Sequence, residues 1–406
     1  MTSGDLAQRS RAGAMWSVVN SGAKHGMDLL VFLLLARWLA PQAFGLMALV
    51  STAMVVAVTL VELGLTEALV QRKRLPGVVV DTAFWLLLGA AGVLAAALAA
   101  LAGPLSQAYG QPELQPLIWA LCPLVLVVAL NTVPQALMQR ELRFRPLALR
   151  GLAGTLAGGA AGLGLAWLGA DVWSLVAQQL VAGVVGLALL WAQTDWRPRV
   201  RFSRAALRRL LGFGRHVLVT RCLNVVASKV DDAVIGLVLG PVALGAYAVA
   251  SRLRLALEQL FCQGVDAVAL SAFSRLSAQR ETLALAYLGA TRTALALALP
   301  VFLSAAWLAP ACLPLLIGVQ WDAAMAPLQA LLLAGLLQAF LHFNHAVFRA
   351  LGQPGRSWQL GLASLALNVA LVVVAVHWGV QAVAWAYLLR VALVGPWGTV
   401  LACRAL

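Results

Sequence analysis

Stretches of about twenty apolar residues recur along the whole chain, and nothing else in it constrains the fold as strongly. Residues 82–103, 117–138, 151–169, 172–192, 293–310 and 358–377 contain no Asp, Glu, Lys or Arg. Residues 14–36, 44–66, 213–239, 244–273, 327–348 and 380–402 are comparably apolar but carry charged or titratable groups inside. A hydrocarbon interior offers no water to backbone N–H and C=O groups, so segments of this kind cross it as helices. The pattern predicts an all-α polytopic membrane protein with about 12 transmembrane helices joined by short loops. Composition agrees: the 406 residues are 62% hydrophobic and 11% charged, where a soluble domain carries about 25% charged residues. The first span holds Lys24, His25 and Asp28 and lacks a small-residue cleavage site. It therefore reads as a span rather than a cleaved signal. The cysteines (Cys122, Cys222, Cys262, Cys312, Cys403) are scattered and odd in number. They read as small buried apolar residues, with no disulfide framework and no metal site.

The net charge of +14 would suit nucleic acid, but its placement argues for a membrane. Clusters fall at Arg9 and Arg11; at Arg72, Lys73 and Arg74; and at Arg140, Arg143, Arg145 and Arg150. They continue at Arg197, Arg199, Arg201, Arg204, Arg208 and Arg209; at Arg275 and Arg280; at Arg349 and Arg356; and at Arg404. All lie in alternate connections, and the opposite connections hold only Arg37. By the positive-inside rule both termini are expected to be cytoplasmic.

Residues 35–50, LARWLAPQAFGLMALV, resemble residues 235–250, IGLVLGPVALGAYAVA, at an offset of 200. Leu39, Pro41, Ala43, Gly45 and Ala48 match Leu239, Pro241, Ala243, Gly245 and Ala248. Pro and Gly suit a tight outer turn in any such protein, but here the whole spacing agrees. Six spans is an even number, so both halves enter from the same side. They are expected to be two six-helix lobes, residues 1–200 and 201–406, related as a parallel internal repeat, with the basic segment 193–211 as the seam.

Several cations fall inside spans: Lys24, Arg215, Arg221, Lys229, Arg252, Arg254, Arg292 and Arg390. Each costs about 2.5–3.5 kcal/mol at the bilayer centre, so they need partners or a wet cavity. Lys24 and Asp28 are four residues apart, as are Arg254 and Glu258, a spacing that shares one helix face. Asp231 and Asp232 lie beside Lys229. Polar stripes run through Ser17, Asn20, Lys24 and Asp28; Arg221, Asn224, Ser228 and Asp232; and Tyr247, Ser251, Arg254 and Glu258. Such stripes should face a cavity or bundle interior, not lipid. The cations predict a positive cavity suited to an anionic substrate such as a phosphorylated lipid. The alternative is that these charges are neutral ion pairs holding helices together. Only three residues are Lys (Lys24, Lys73, Lys229). Because Lys can lose its proton when desolvated, Lys24 or Lys229 is expected to take part in proton coupling. Gly154, Gly158 and Gly162 mark a close-packing face. The histidines His25, His216, His342, His345 and His377 show no metal spacing, and no cofactor is expected. Pro123, Pro134, Pro300, Pro327 and Pro396 mark kinks or span ends.

The segments RWLAPQAFGLMALV (37–50), ELGLTEALVQRK (62–73), KVDDAVIGLVLGPVALGAYAVASRL (229–253) and GVQWDAAMAPLQAL (318–331) carry a resemblance. They are similar to the polysaccharide (O-antigen and exopolysaccharide) flippases of the multidrug/oligosaccharidyl-lipid/polysaccharide exporter superfamily, in a branch like that of the colanic acid exporter. The resemblance implies two six-helix lobes around a cationic cavity in a multi-pass bacterial inner-membrane protein. It implies flipping of undecaprenyl-diphosphate-linked oligosaccharide, driven by a proton or sodium gradient, with membrane lipids and a polysaccharide polymerase as partners and no nucleic acid. It gives the substrate-binding role to Lys24, Arg221, Lys229, Arg252 and Arg254, and coupling or charge-pairing to Asp28, Asp231, Asp232 and Glu258. Many members have fourteen helices, and the two beyond the twelfth would bear on handling of the prenyl tail.

Other readings share parts of this pattern. A drug antiporter of the same superfamily would favour acidic groups, and a peptidoglycan lipid precursor flippase would share the diphosphate. A polytopic polymerase or ligase would need a sizeable outer loop, whereas the longest outer segments, about 104–116 and 309–325, carry no cation. There is no GxxxxGK[ST] phosphate loop, so no built-in ATPase is expected and no catalytic residue is assigned.

Overall fold

The computed structural model describes residues 22, 24–62, 69, 76–276, 280–341, 343–344, 347–348, 351 and 354–405. For residues 209–217, 219–220, 260–276, 354, 356–357 and 405 it describes the backbone alone. Ser17, Asn20, His342, His345 and the cations at 9, 11, 72–74 and 349 lie outside the described residues. So do the side chains of Arg209, Arg215, His216, Cys262, Asp266, Arg275 and Arg356.

The described chain is helical throughout. Helix α1 covers residues 24–38, followed by α2 (Pro41–Glu62), α3 (Gly77–Ala108), α4 (Leu114–Arg140), α5 (Phe144–Trp167) and α6 (Val172–Ala192). A helical run then extends over Arg204–Leu276, broken at Gly240 into α7 (204–239) and α8 (241–276). Helices α9 (Arg280–Ile317), α10 (Asp322–Leu341), α11 (Pro354–Ala375) and α12 (Val380–Ala405) complete it, with 3-10 turns at Val319–Trp321 and Val376–Trp378. Among the described residues, nine helices are long and apolar enough to cross a membrane, so this is a multi-pass membrane protein. Pro123 and Pro134 lie inside α4, Pro300 inside α9, Pro327 inside α10 and Pro396 inside α12.

The break at Gly240 has a local cause. Its φ of 81° and ψ of −179° lie where only glycine sits without Cβ strain, and Pro241 behind it cannot supply an N–H to continue the ladder. The first copy of the motif does the same: helix ends at residue 38 and resumes at Pro41. Both prolines open a helix, where a missing N–H costs nothing.

The chain divides into two compact units: residues 1–39 with 46–229, and residues 40–45 with 230–406. In unit 1, α3 packs on α4, α4 on α6, and α5 on α6. Its core includes Leu35, Leu46, Leu87, Leu114 and Leu117, all essentially sealed. In unit 2, α10 packs on both α9 and α12, and α11 packs on α12, around Trp321, Phe302, Phe343 and Phe348.

The arginine-rich connections of unit 1 share one end. Arg143 pairs with Glu141 (3.6 Å) and Asp195 (3.7 Å) and donates to the Gln193 carbonyl (3.2 Å). The Trp85 indole on the first turns of α3 donates to the Arg199 carbonyl (3.0 Å). The connections at the other ends of these helices, 109–113 and 168–171, contain no cation.

Candidate functional site

In unit 1 the Lys24 ammonium lies 3.2 Å from Asp28, with 40% and 31% of their side chains exposed. The second Asp28 oxygen accepts the Thr155 hydroxyl of α5 (3.0 Å), so one carboxylate joins the cation to a neighbouring helix. The contact needs a bare surface on α5. A Cβ at Gly151 would touch the Lys24 stem at 3.4 Å, and one at Gly159 would strike Val31 at 2.7 Å. Gly151, Thr155 and Gly159 are spaced by four, so they form the face that receives α1. The adjoining face of α5 carries Gly154, Gly158 and Gly162. A Cβ on Gly154 would lie 3.0 Å from the Ala182 carbonyl, and one on Gly162 3.1 Å from the Ser174 carbonyl. The sequence pointed to this second face and missed Thr155.

Arg221, on α7, forms an ion pair with Glu62 at the end of α2, each side chain 31% exposed. Along the same helix Asn224 and Ser228 are exposed and Lys229 is half-buried. The stripe of Arg221, Asn224, Ser228 and Asp232 therefore passes from open at its start to buried at Asp232.

In unit 2 the charges are enclosed. Asp231 is 6% exposed; it accepts the Tyr247 hydroxyl of α8 (2.9 Å) and the Asn368 amide of α11 (2.6 Å). Hydrogen bonds to the charged form make burial of a carboxylate tolerable. Arg254, on α8, reaches Glu258 at 2.6 Å, and their side chains are 8% and 17% exposed. It also contacts the Gln338 carbonyl oxygen at 3.4 Å, which accepts the Tyr387 hydroxyl (3.2 Å). The Tyr387 ring on α12 meets two guanidinium groups, Arg390 at 4.4 Å and Arg254 at 5.2 Å. Arg390 donates to Ser364 on α11 (2.7 Å). The Nε atoms of Arg254 and Arg390 and Oδ1 of Asn368 are buried without a hydrogen-bond partner among the described residues, so the network keeps bonding capacity in reserve.

Of the expected residues, unit 1 holds Lys24, Asp28, Arg221 and Lys229, and unit 2 holds Asp231, Asp232, Arg252, Arg254 and Glu258. Arg252 is exposed while Arg254, two residues on, is buried. Asn368, Ser364, Gln338, Tyr387 and Arg390 join the network without having been singled out as site residues. A signal was present: Ser364 and Asn368 are spaced by four in the otherwise apolar run of α11, as a shared polar face requires. Among the described residues no group of three His, Cys, Asp or Glu could hold a metal ion.

Known proteins share this chain's pattern. The family model described as polysaccharide biosynthesis protein matches residues 34–326. The succinoglycan biosynthesis transport protein ExoT of Rhizobium meliloti is 28% identical over 75% of this chain, which spans 62% of that relative's length. The lipopolysaccharide biosynthesis protein WzxC of Escherichia coli is 24% identical over 82% of this chain and 68% of its own. In fold, the chain is similar to the lipid II flippase MurJ in an inward closed conformation, with a TM-score of 0.81 at 12% identity, covering 96% of this chain and 87% of that one. It is also similar to an inward-facing multidrug resistance MATE family transporter of the MOP superfamily, with a TM-score of 0.74 at 17% identity, covering 93% and 95%. By the family match across residues 34–326, the chain belongs to the polysaccharide biosynthesis protein family.

Proposed function

We propose that the protein carries an oligosaccharide linked to undecaprenyl diphosphate across the bacterial cytoplasmic membrane, for cell-surface polysaccharide. It works by alternating access of two six-helix lobes, residues 1–200 and 201–406, related by a parallel repeat and with both termini cytoplasmic. Movement is driven by a proton or sodium gradient. The cations offered to the diphosphate are Lys24, Arg221, Lys229 and Arg252, while Arg254, expected from the sequence to join them, is enclosed with Glu258 and braces the helices; Asp28, Asp231 and Asp232 pair with or couple to the cations.

The observation that carries this reading is the exposure of Lys24 and Arg221. Each is ion-paired on an apolar helix, yet keeps 40% and 31% of its side chain open. A cation left open inside a span faces a polar ligand or water, since lipid would penalise it. The lipid diphosphate that the resemblance to polysaccharide flippases implies is an anion of the right charge to meet these cations. The test is rescue of surface polysaccharide in a strain lacking its lipid-linked oligosaccharide flippase. The intact chain should restore it, and Lys24→Ala and Arg221→Ala should not, at matched membrane levels. Restoration by both variants at the intact chain's level would sink the reading.

The lipid II flippase likeness in fold supports a second reading, transport of a peptidoglycan lipid precursor. Rescue of cells depleted of their own lipid II flippase, with no rescue of surface polysaccharide, would favour it.

A further inference from the structure

We propose that the connection between α6 and α7 is a clamped, amphipathic strap that binds anionic phospholipid headgroups at the arginine-rich end of unit 1. Apart from a tight turn in which the Arg201 N–H donates to the Arg199 carbonyl (2.8 Å), this irregular connection borrows its backbone partners from α3. The Arg199 N–H donates to Asp81 (3.3 Å), the Ser203 N–H to Thr82 Oγ1 (3.1 Å), and the Arg199 carbonyl accepts from Trp85 (3.0 Å). Asp81 and Thr82 are 3% and 0% exposed, so the backbone of the strap is tied to fixed, buried groups. Upstream, Arg197 bonds the carbonyls of Thr194 and Trp196 and lies over the Trp191 ring at 5.8 Å. Trp191 and Trp196 both meet Phe84, at 6.1 and 5.5 Å.

What the clamp leaves free is both cationic and apolar. Arg199 and Arg201 are exposed, and so are Val200 and Phe202 that follow each of them in the chain. Val200 is 91% and Phe202 58% exposed. The side chains of Arg199, Arg201, Arg204 and Arg208 are exposed and have no carboxylate partner among the described residues. Water alone gives no reason to hold a valine and a phenylalanine out on a rigid backbone. At a bilayer surface the apolar pair sits against acyl chains, and the arginines lie along the phosphates. The surrounding tryptophans belong to that level of a membrane. Four uncompensated cations just beyond a span match the charge of an anionic leaflet.

The test uses the full chain in nanodiscs, of phosphatidylcholine alone or with phosphatidylglycerol at about one lipid in three. Phe202→Cys, in a chain whose native cysteines are replaced by alanine, is labelled with a water-soluble thiol reagent. Phosphatidylglycerol should slow labelling at least fivefold, taking about a fivefold gain in affinity per arginine near an anionic surface. R199Q/R201Q/R204Q in the same background should abolish the slowing. Equal rates in both lipids, or slowing that survives the triple substitution, would overturn the proposal and point instead to an acidic protein partner. Native mass spectrometry of the otherwise unaltered chain gives a second readout that needs no cysteine substitution. Phosphatidylglycerol adducts should exceed phosphatidylcholine adducts, and R199Q/R201Q/R204Q should remove the excess; equal adduct counts for the two proteins refute it.

Discussion

Replacing Gly45 or Gly245 by alanine puts two physical effects in opposition. In unit 2 the start of α2 crosses the start of α8. A Cβ at Gly45 would overlap the Pro241 carbonyl and lie 2.9 Å from its Cα, while one at Gly245 would overlap the Pro41 carbonyl and lie 3.1 Å from the Gly45 nitrogen. Beside the crossing, Phe44 meets the sealed Trp321 edge-on at 5.3 Å. Alanine is worth about 1 kcal/mol over glycine in a helix interior, so propensity alone predicts a more stable protein. The colliding atoms, however, are backbone and cannot swing aside as a side-chain tip can. Forcing extra volume into a packed contact costs about 1–3 kcal/mol, and a clash with main chain belongs at the top of that range. Sterics should win by about 1–2 kcal/mol, lowering the melting midpoint in detergent by a few degrees. Gly89→Ala is the control: a Cβ there meets nothing within 4 Å, so its midpoint should hold or rise. Because both substitutions open one crossing, the double variant should lose less than the two singles added. Gly45→Ala and Gly245→Ala melting at or above the parent, with Gly89→Ala normal, would refute the reasoning.

Other perturbations test separate contacts. Tyr247→Phe removes one hydrogen bond to the buried Asp231 carboxylate and should cost about 1.5–3 kcal/mol, read as a lowered melting midpoint; no change would mean the bond is not made. Gly158→Leu drives a side chain into the Gln178 backbone and the Ala182 side chain on α6 and should abolish stable membrane accumulation, which quantitative blotting measures. Lys24→Arg and Lys229→Arg keep the charge but remove a group able to release a proton. If either lysine couples transport to protons, its variant loses the parent's pH dependence in proteoliposomes; unchanged profiles for both dismiss the idea.

The helical class was legible because membrane helices announce themselves by length and apolarity, independently of their neighbours. The break ahead of Pro241 was legible for a similar local reason, as Gly-Pro cannot continue a helix. The face formed by Gly154, Gly158 and Gly162 showed in its spacing. Which partner each charge takes was only half visible. Lys24–Asp28 and Arg254–Glu258 lie within one helix and follow from i,i+4 spacing. Glu62–Arg221 and Asn368–Asp231 are 159 and 137 residues apart and depend on which helices become neighbours, which no local pattern states. Tyr387 was hidden for another reason. A tyrosine on an apolar helix reads as packing until Arg254 and Arg390 are found against its ring.

Burial separates the roles that the candidate cations can play. A group that meets an external anion must be reachable; a group that holds helices together must be enclosed and satisfied. Lys24 and Arg221 meet the first condition, with 40% and 31% of their side chains open. Arg254, at 8% and bonded to Glu258, meets the second. Their variants should therefore fail differently. Glu258→Ala leaves the Arg254 guanidinium buried beside an empty place, and losing one partner of an enclosed pair costs about 3–5 kcal/mol. It should reach the membrane in much reduced amount and melt far below the parent. Arg254→Met strands Glu258 instead, but a carboxyl can take up a proton and become neutral where a guanidinium cannot lose one, so this variant should be milder. Lys24→Ala exposes only a part-open Asp28 that still accepts Thr155, so the protein should accumulate and melt nearly as the parent does while losing transport. Blotting and melting separate these outcomes before any transport is measured. Should Glu258→Ala prove as stable as Lys24→Ala, enclosure of the Arg254 pair is not what holds these helices together.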